Sequence, residues 1–307
     1  MAMLPDAGWG FWLTQWNWQP TIILGTIIIL GLYIYAVGPL REKHRLGPMV
    51  KAGQAVCFFI GVYCIFLALS SPLDELGDNY LFSAHMVQHL VLTIVGPPLM
   101  IAGMPAWLFE PLLRNKVILR IGRIITYPGF VFILFNVNFW LWHAPSLYDR
   151  TLYDPYLHEF EHLTYLITGF LYWWPIFSPL SHGWPRLSMG GQLIYIFLGG
   201  MPTVLLGAGL TFTSPLYEPY IHAPRVWGIS PATDQQLGGL IMWIPANIAY
   251  IIVASIFFIR WMMKQDEKQR AEEALLYGDA DETDEVGEEL PHSPSEKSGN
   301  DIAQHFS

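Results

Sequence analysis

Residues 81–102 read LFSAHMVQHLVLTIVGPPLMIA, twenty-two positions without a Lys, Arg, Asp or Glu. At about 1.5 Å per residue a helix of that length covers roughly 33 Å, and the hydrocarbon core of a bilayer is about 30 Å thick. The stretch reads as a membrane-crossing helix. Pro97-Pro98 inside it would be costly in an isolated helix, but a bundle tolerates the break because neighbouring helices re-satisfy the freed backbone groups.

Working outward, six further apolar segments of similar length appear at 20–37, 51–70, 124–143, 157–177, 189–210 and 235–260. The expected fold class is therefore all-α, a polytopic membrane bundle of seven transmembrane helices. Composition agrees: 53% of residues are hydrophobic and 13% charged, about half the charged share of a soluble domain. Three parts are expected: a Trp-rich interfacial leader at 1–19 (Trp9, Trp12, Trp16, Trp18), the seven-helix domain at 20–262, and an acidic tail at 263–307. From Lys264 onward there are 13 acidic and 4 basic residues, so the whole net charge of −9 sits in the tail. Such a tail has too little apolar surface to offset its ordering entropy and is expected to be disordered.

Basic residues orient the bundle. With the N-terminus outside and the C-terminus in the cytoplasm, 14 of the 16 Lys and Arg fall on the inner side, leaving Arg150 and Arg225 outside. No Lys or Arg precedes Arg41, so the first span lacks the basic region of a signal peptide and is expected to remain as a helix. Localisation is expected in the plasma membrane as a multi-pass protein, with the lipid bilayer as a partner and no nucleic acid. Cys57 and Cys64, seven apart on one helix, stand about 10 Å apart along the axis, too far for a disulfide.

That topology gathers the histidines. His85 and His89 open the third span, His158 and His162 open the fifth, and His143 closes the fourth, so five histidines from three helices share one depth near the outer face. A single histidine at a helix end is commonly an interfacial residue bound to a carbonyl or water. Two i, i+4 pairs on one side are different, because each pair puts two imidazoles on one helix face, a spacing that chelates one ion, and intramembrane histidines without partners are costly. The candidate metal ligands are therefore His85, His89, His143, His158 and His162. Met86, Asp78, Glu159, Glu161 and Asp234 are auxiliary candidates, and Gln88 and Tyr165 are candidate orienters of the rings. His158-Glu159-Phe160-Glu161-His162 also matches HExxH, which in zincins binds zinc with the Glu as general base. A zinc metalloenzyme using Glu159 is thus an alternative, and haem ligation by histidines on facing helices is another. No glycine-rich phosphate loop, GxSxG elbow or CxxC is present.

The runs Ser71-Pro72-Leu73-Asp74, Phe82-Ser83-Ala84-His85-Met86-Val87-Gln88-His89 and Pro97-Pro98-Leu99, with Trp142-His143-Ala144-Pro145, the His158-to-His162 stretch, Asp234-Gln235 and Gly238-Gly239, carry a family likeness. Over residues 10–262 the sequence resembles the CtaG family of membrane proteins, the Bacillus-type cytochrome c oxidase assembly factors. The resemblance implies a non-enzymatic assembly role toward a caa3-type oxidase, with oxidase subunits as partners and copper as the cofactor handled.

Overall fold

The computed structural model describes residues 8–184 and 186–287, with side chains through Leu275. Among the described residues there is no strand. The leader forms a short helix, α1 (Trp9–Thr14), with Phe11 buried. α2 (Pro20–Tyr35) starts on Pro20, whose fixed φ and missing N–H suit the first helical position. It passes through a π turn holding Pro39 into α3 (Arg41–His44), closed by Arg45 at φ 50°. α4 (Ala52–Ser70) follows, and Ser71 then caps α5 (Pro72–Asn79) by accepting from the Leu73 N–H.

The stretch 81–102 is not one uniform helix. It divides into α6 (Phe82–Leu90), a π turn at Val91–Val95 and α7 (Gly96–Gly103). The cause is Pro97-Pro98. Without N–H groups they leave the carbonyls four residues earlier, Thr93 and Ile94, without their regular helical donors. The Trp173 indole N–H donates to the Thr93 carbonyl at 2.8 Å, a repair from a neighbouring helix. Close approach there requires Gly169, where a Cβ would stand 3.1 Å from Thr93 Cα. Gly169→Val is expected to push the two helices apart and cost about 2–3 kcal/mol. Thermal unfolding in detergent reads this, and an unchanged melting temperature would refute the repair.

α8 (Glu110–Arg114) and α9 (Lys116–Ile125) precede α10 (Pro128–Trp142). Residues 124–127 therefore do not continue α10 as one helix, as the sequence suggests. Pro128 forces Tyr127 into an extended conformation, and α9 meets α10 at a 55° bend. α9 exposes Val117, Ile121 and Ile124 on one side, while Lys116, Arg120 and Arg123 occupy the other, the pattern of a helix lying at a polar–apolar boundary. α11 (Pro145–Tyr153), α12 (Pro155–Phe177), α13 (Met189–Phe212), α14 (Glu218–His222) and α15 (Pro231–Gly287) complete the order.

Five helical stretches among the described residues are long and apolar enough to cross a membrane, or six if the bent pair α9–α10 counts as one. α12 is 23 residues long, but His158, Glu159, Glu161 and His162 in its first two turns lower its hydropathy. α6 and α7 form the axis of the bundle: 67% of their most apolar window is buried, against 6% for the first span. One core packs around Tyr172, Trp173, Ile196 and Tyr250. A second, of Phe82, Met86, Phe139, Tyr148, Tyr165 and Tyr217, surrounds the histidines.

The chain divides into compact units at Phe258/Ile259. In the second unit α15 continues helically through Gly287, into residues whose composition suggests disorder. Ion pairs one turn apart, Arg270 with Asp266 at 2.9 Å and Lys268 with Glu272 at 3.5 Å, suit a solvated helix there. Residues 1–7 of the leader and 288–307 of the tail lie outside the described residues.

Candidate metal centre

Four of the five histidines converge. His85 and His89 lie on one face of α6, with Nε2 atoms 2.8 Å apart. On α12, Asp154 caps the start by accepting from the Tyr156 and Leu157 N–H groups, and the next turns carry His158 and His162, ring centroids 4.2 Å apart. Across the two helices the His85 ring stands 5.1 Å from His158 and 5.6 Å from His162. His89 stands 5.2 Å from His162.

Carboxylates complete the cluster, and they are not all the ones the sequence singles out. Glu161, one residue before His162, is fully buried with an oxygen 3.7 Å from His89 Nε2. The neighbouring Thr151 hydroxyl donates to the Tyr148 carbonyl at 2.7 Å, and neither Glu161 oxygen has a hydrogen-bond partner. Glu159, the general base of the HExxH reading, is exposed on another face of α12. Asp78 of α5 reaches in from above, 3.5 Å from His158 Nδ1 and 4.0 Å from His85 Nδ1. Burial pushes the Asp78 carboxyl well above its usual range, and the nearby Asp74, Glu75 and Glu161 push it the same way. A cation among the histidines would favour its ionised form.

Hydrogen bonds assign the ring protons. Tyr220 donates its hydroxyl to the Gly77 carbonyl at 2.7 Å, so at 3.0 Å from His85 Nδ1 it accepts. His85 therefore carries its proton on Nδ1 and presents an Nε2 lone pair to the cluster. The Nε2 of His89 donates to that lone pair, which leaves His89 Nδ1 unprotonated and without a partner. His158 Nε2, His162 Nε2, Asp78 Oδ1 and both Glu161 oxygens are likewise buried and unpartnered. A native interior leaves only a few such atoms unsatisfied, and here His158, His162, Asp78 and Glu161 contribute five of them to one cluster.

Two sets among the described residues bring their donor atoms within 4.8 Å of one another: His85, His158 and His162, and His85, His89 and Glu161. Tetrahedral ligands at about 2.0–2.1 Å from an ion stand roughly 3.3 Å from each other, so small side-chain rotations close either set. The set fits an ion that takes imidazole and carboxylate. His85 belongs to both. His143, the fifth candidate, belongs to neither: its Nδ1 donates to the Phe139 carbonyl at 2.7 Å and lies 3.1 Å from the Tyr165 hydroxyl. Cys57 and Cys64 are free thiols outside both sets.

The supporting residues divide similarly. Tyr165 does orient a ring. Gln88 does not, since it donates to the Ala68 carbonyl at 2.9 Å and to Asp74 Oδ1 at 2.6 Å, tying α4 and α5 to α6. Asp74 also accepts from Asn17 Nδ2 at 2.7 Å, and burial pushes its carboxyl up to about 6. Asp234 is no ligand. It caps α6 from a distance, accepting from the Phe82 and Ser83 N–H groups at 2.7 and 3.0 Å and from Ser83 Oγ at 2.6 Å. Met86 is buried in the core beside the cluster. Asn136 donates to the Phe132 carbonyl, and His222 is exposed beside Glu218. Tyr148, Tyr220 and Gly77 are the supports that sequence reasoning missed. A Cβ at Gly77 would stand 3.0 Å from His85 Cα, so a glycine lets α5 lie against α6.

A family model described as "Cytochrome c oxidase caa3 assembly factor" matches residues 31–264. An uncharacterized protein of Mycobacterium leprae is 26% identical over 275 residues, 83% of this chain and 40% of that protein. An uncharacterized protein of Mycobacterium bovis is 24% identical over 291 residues, 89% of this chain and 43% of its own length. The chain thus spans about two fifths of the length of these curated relatives. No solved structure matches.

Proposed function

The chain belongs to the cytochrome c oxidase caa3 assembly factor family, and on that premise we propose that it binds copper in the histidine cluster and passes it to the oxidase during assembly. The carrying observation is the concentration of buried, unpartnered nitrogen and carboxylate atoms contributed by His158, His162, Glu161 and Asp78. Imidazole suits copper as well as zinc, iron and nickel, and an oxidase assembly factor has a use for copper. A partly open donor set with two alternative triads suits an ion that arrives and leaves, unlike a closed four-ligand structural site.

In this reading the bundle crosses the plasma membrane seven times. The spans are α2, α4, α6–α7, α10, α12, α13 and α15, with the N-terminus outside and the C-terminus in the cytoplasm. The basic residues that set this orientation follow α2 and α12 and precede α10. The histidines sit at the opposite helix ends, so the cluster faces outward.

The zinc-enzyme alternative loses its general base, because Glu159 is exposed and turned from the histidines. The rings pack 4.2–5.6 Å centroid to centroid, a spacing that suits a shared ion better than a porphyrin between axial ligands. Parallel substitution of the two glutamates tests this. Glu159→Gln is expected to keep its copper and to support wild-type oxidase activity in cells. Glu161→Gln is expected to lose roughly 10-fold or more in copper affinity, the scale set by groups that support metal ligands. The opposite ranking would sink the proposal.

A further inference from the structure

Below the cluster, on the far side of His89, a cavity of about 30 Å³ lies between α6, α10, α12, α13 and α15. Met86, His89, His143, Tyr165 and Met242 contribute its polar and sulfur-bearing wall with two threonines, Thr203 and Thr93, the latter donating its hydroxyl to the His89 carbonyl at 2.7 Å; the rest is aliphatic and aromatic. The volume admits a single ion or water and no organic ligand.

The chemistry of the wall is one-sided. His89 Nδ1 is an unprotonated lone pair, because its Nε2 proton is given to His85, and it has no partner. His143 Nε2 is also an unprotonated lone pair, because the Nδ1 proton goes to the Phe139 carbonyl, and it too is buried without a partner. The two rings stand 6.3 Å apart, centroid to centroid, at 80°. A ligating nitrogen about 2.0 Å from an ion puts its ring centre roughly 3.2 Å away, so that separation is what two imidazoles on opposite sides of one ion would show. Thr203 spends its hydroxyl proton on the Gly200 carbonyl at 2.7 Å. Met86 and His89 are i, i+3 on α6 and share its inner face, while Met242 faces them from α15. Both thioethers are buried.

We propose that this cavity is a second, softer cation site, formed by His89 Nδ1, His143 Nε2 and the sulfurs of Met86 and Met242, and that it takes monovalent copper. Thioether and imidazole together select Cu(I) over harder divalent ions. A water in the same space would satisfy the two nitrogens and leave both sulfurs idle. The site deepens the copper reading above but rests on different atoms. The two sites share only His89, which presents Nε2 to the upper cluster and Nδ1 to the cavity. One imidazole thus links a site near the bundle end to one deeper in it, a geometry for handing an ion between them.

The test uses the full-length protein purified in detergent, loaded anaerobically with Cu(I) in competition with bicinchoninate, and copper K-edge absorption. Wild type is expected to retain two equivalents and to show sulfur scattering. Met86→Leu/Met242→Leu keeps volume and apolarity; it is expected to retain one equivalent with the sulfur scattering gone. His85→Ala/His158→Ala, which breaks both triads of the upper cluster and touches no residue of the cavity, is expected to lose the other equivalent and keep the sulfur signal. Absence of sulfur scattering in wild type, or its persistence in the double methionine variant, would overturn the proposal and leave a water in the cavity. If the double histidine variant keeps both equivalents while the methionine variant loses one, the upper-cluster reading fails and this one stands. Size-exclusion profiles and helical circular dichroism of each variant confirm that the fold is retained.

Discussion

Purified His85→Ala/His89→Ala protein is expected to emerge from copper loading with background metal, and cells carrying it to lack caa3-type oxidase activity. His85 contributes to both triads that converge on the cluster, so its loss breaks each at once, and His89 Nε2 is the nearest remaining nitrogen at 2.8 Å. The loss in affinity should be roughly 100-fold or more, because groups that merely orient a ligand are already worth about 10–100-fold. The single variants should rank in a set order. His85→Ala costs most, whereas His158→Ala leaves the triad of His85, His89 and Glu161 intact and costs less. Both sites on α6 are buried, so stability must be measured beside metal content. His85→Asn, which keeps a polar group near Tyr220, serves as the gentler variant. A monodisperse variant with undiminished copper would exclude the cluster as the binding site.

The parts of this centre that were legible in the sequence are those set by helical periodicity. His85 with His89 and His158 with His162 stand one turn apart at the starts of two segments an even number of spans apart, and the basic loops place those starts at one end. The same periodicity carried a further signal. Residues 158, 161, 162 and 165 fall at i, i+3, i+4 and i+7, one stripe of α12, so Glu161 and Tyr165 had to face the histidines and Glu159 had to turn away. The HExxH pattern obscured this, because it weights the residue next to the first histidine. Tyr220 and Tyr148 left no such signal. They come from the short helices α14 and α11, 135 and 63 positions from His85, and only tertiary packing brings them to it.

The fold shows a similar division. Hydropathy located every long helix, but hydropathy is blind to hydrogen bonding. It ran one straight helix through Ile124 and Ile125, whose apolar side chains belong to the amphipathic α9. It also gave no hint of the π turn at Val91–Val95. That turn follows from two missing N–H groups at Pro97-Pro98 and from an indole donor 80 residues away, and it begins two residues after His89, where the helix bearing both candidate ligands must hold its register.

That register has a second guard at the other end of α6, and breaking it is the other large effect expected. Leu81, at the helix N-cap, offers no side-chain cap. Asp234, 152 residues beyond Phe82, supplies it: one oxygen accepts from Phe82 N, the other from Ser83 N and Ser83 Oγ. The carboxylate stands in the first turn of α15, so two helix N-termini, each carrying a positive end, share one negative group. Asp234→Ala would leave two buried N–H groups without acceptors. At about 1–3 kcal/mol for each unsatisfied group, the loss should be roughly 3 kcal/mol in unfolding free energy. Asp234→Asn keeps one acceptor oxygen and should lose about half as much. The readout that separates this from general destabilisation is copper affinity at a temperature where both variants are folded. If Asp234 positions the ligands, affinity falls about 10-fold in Asp234→Ala although no ligand has been touched. If it only stabilises the bundle, melting temperature falls and copper binding does not, and the link between the α6 cap and the metal centre is gone.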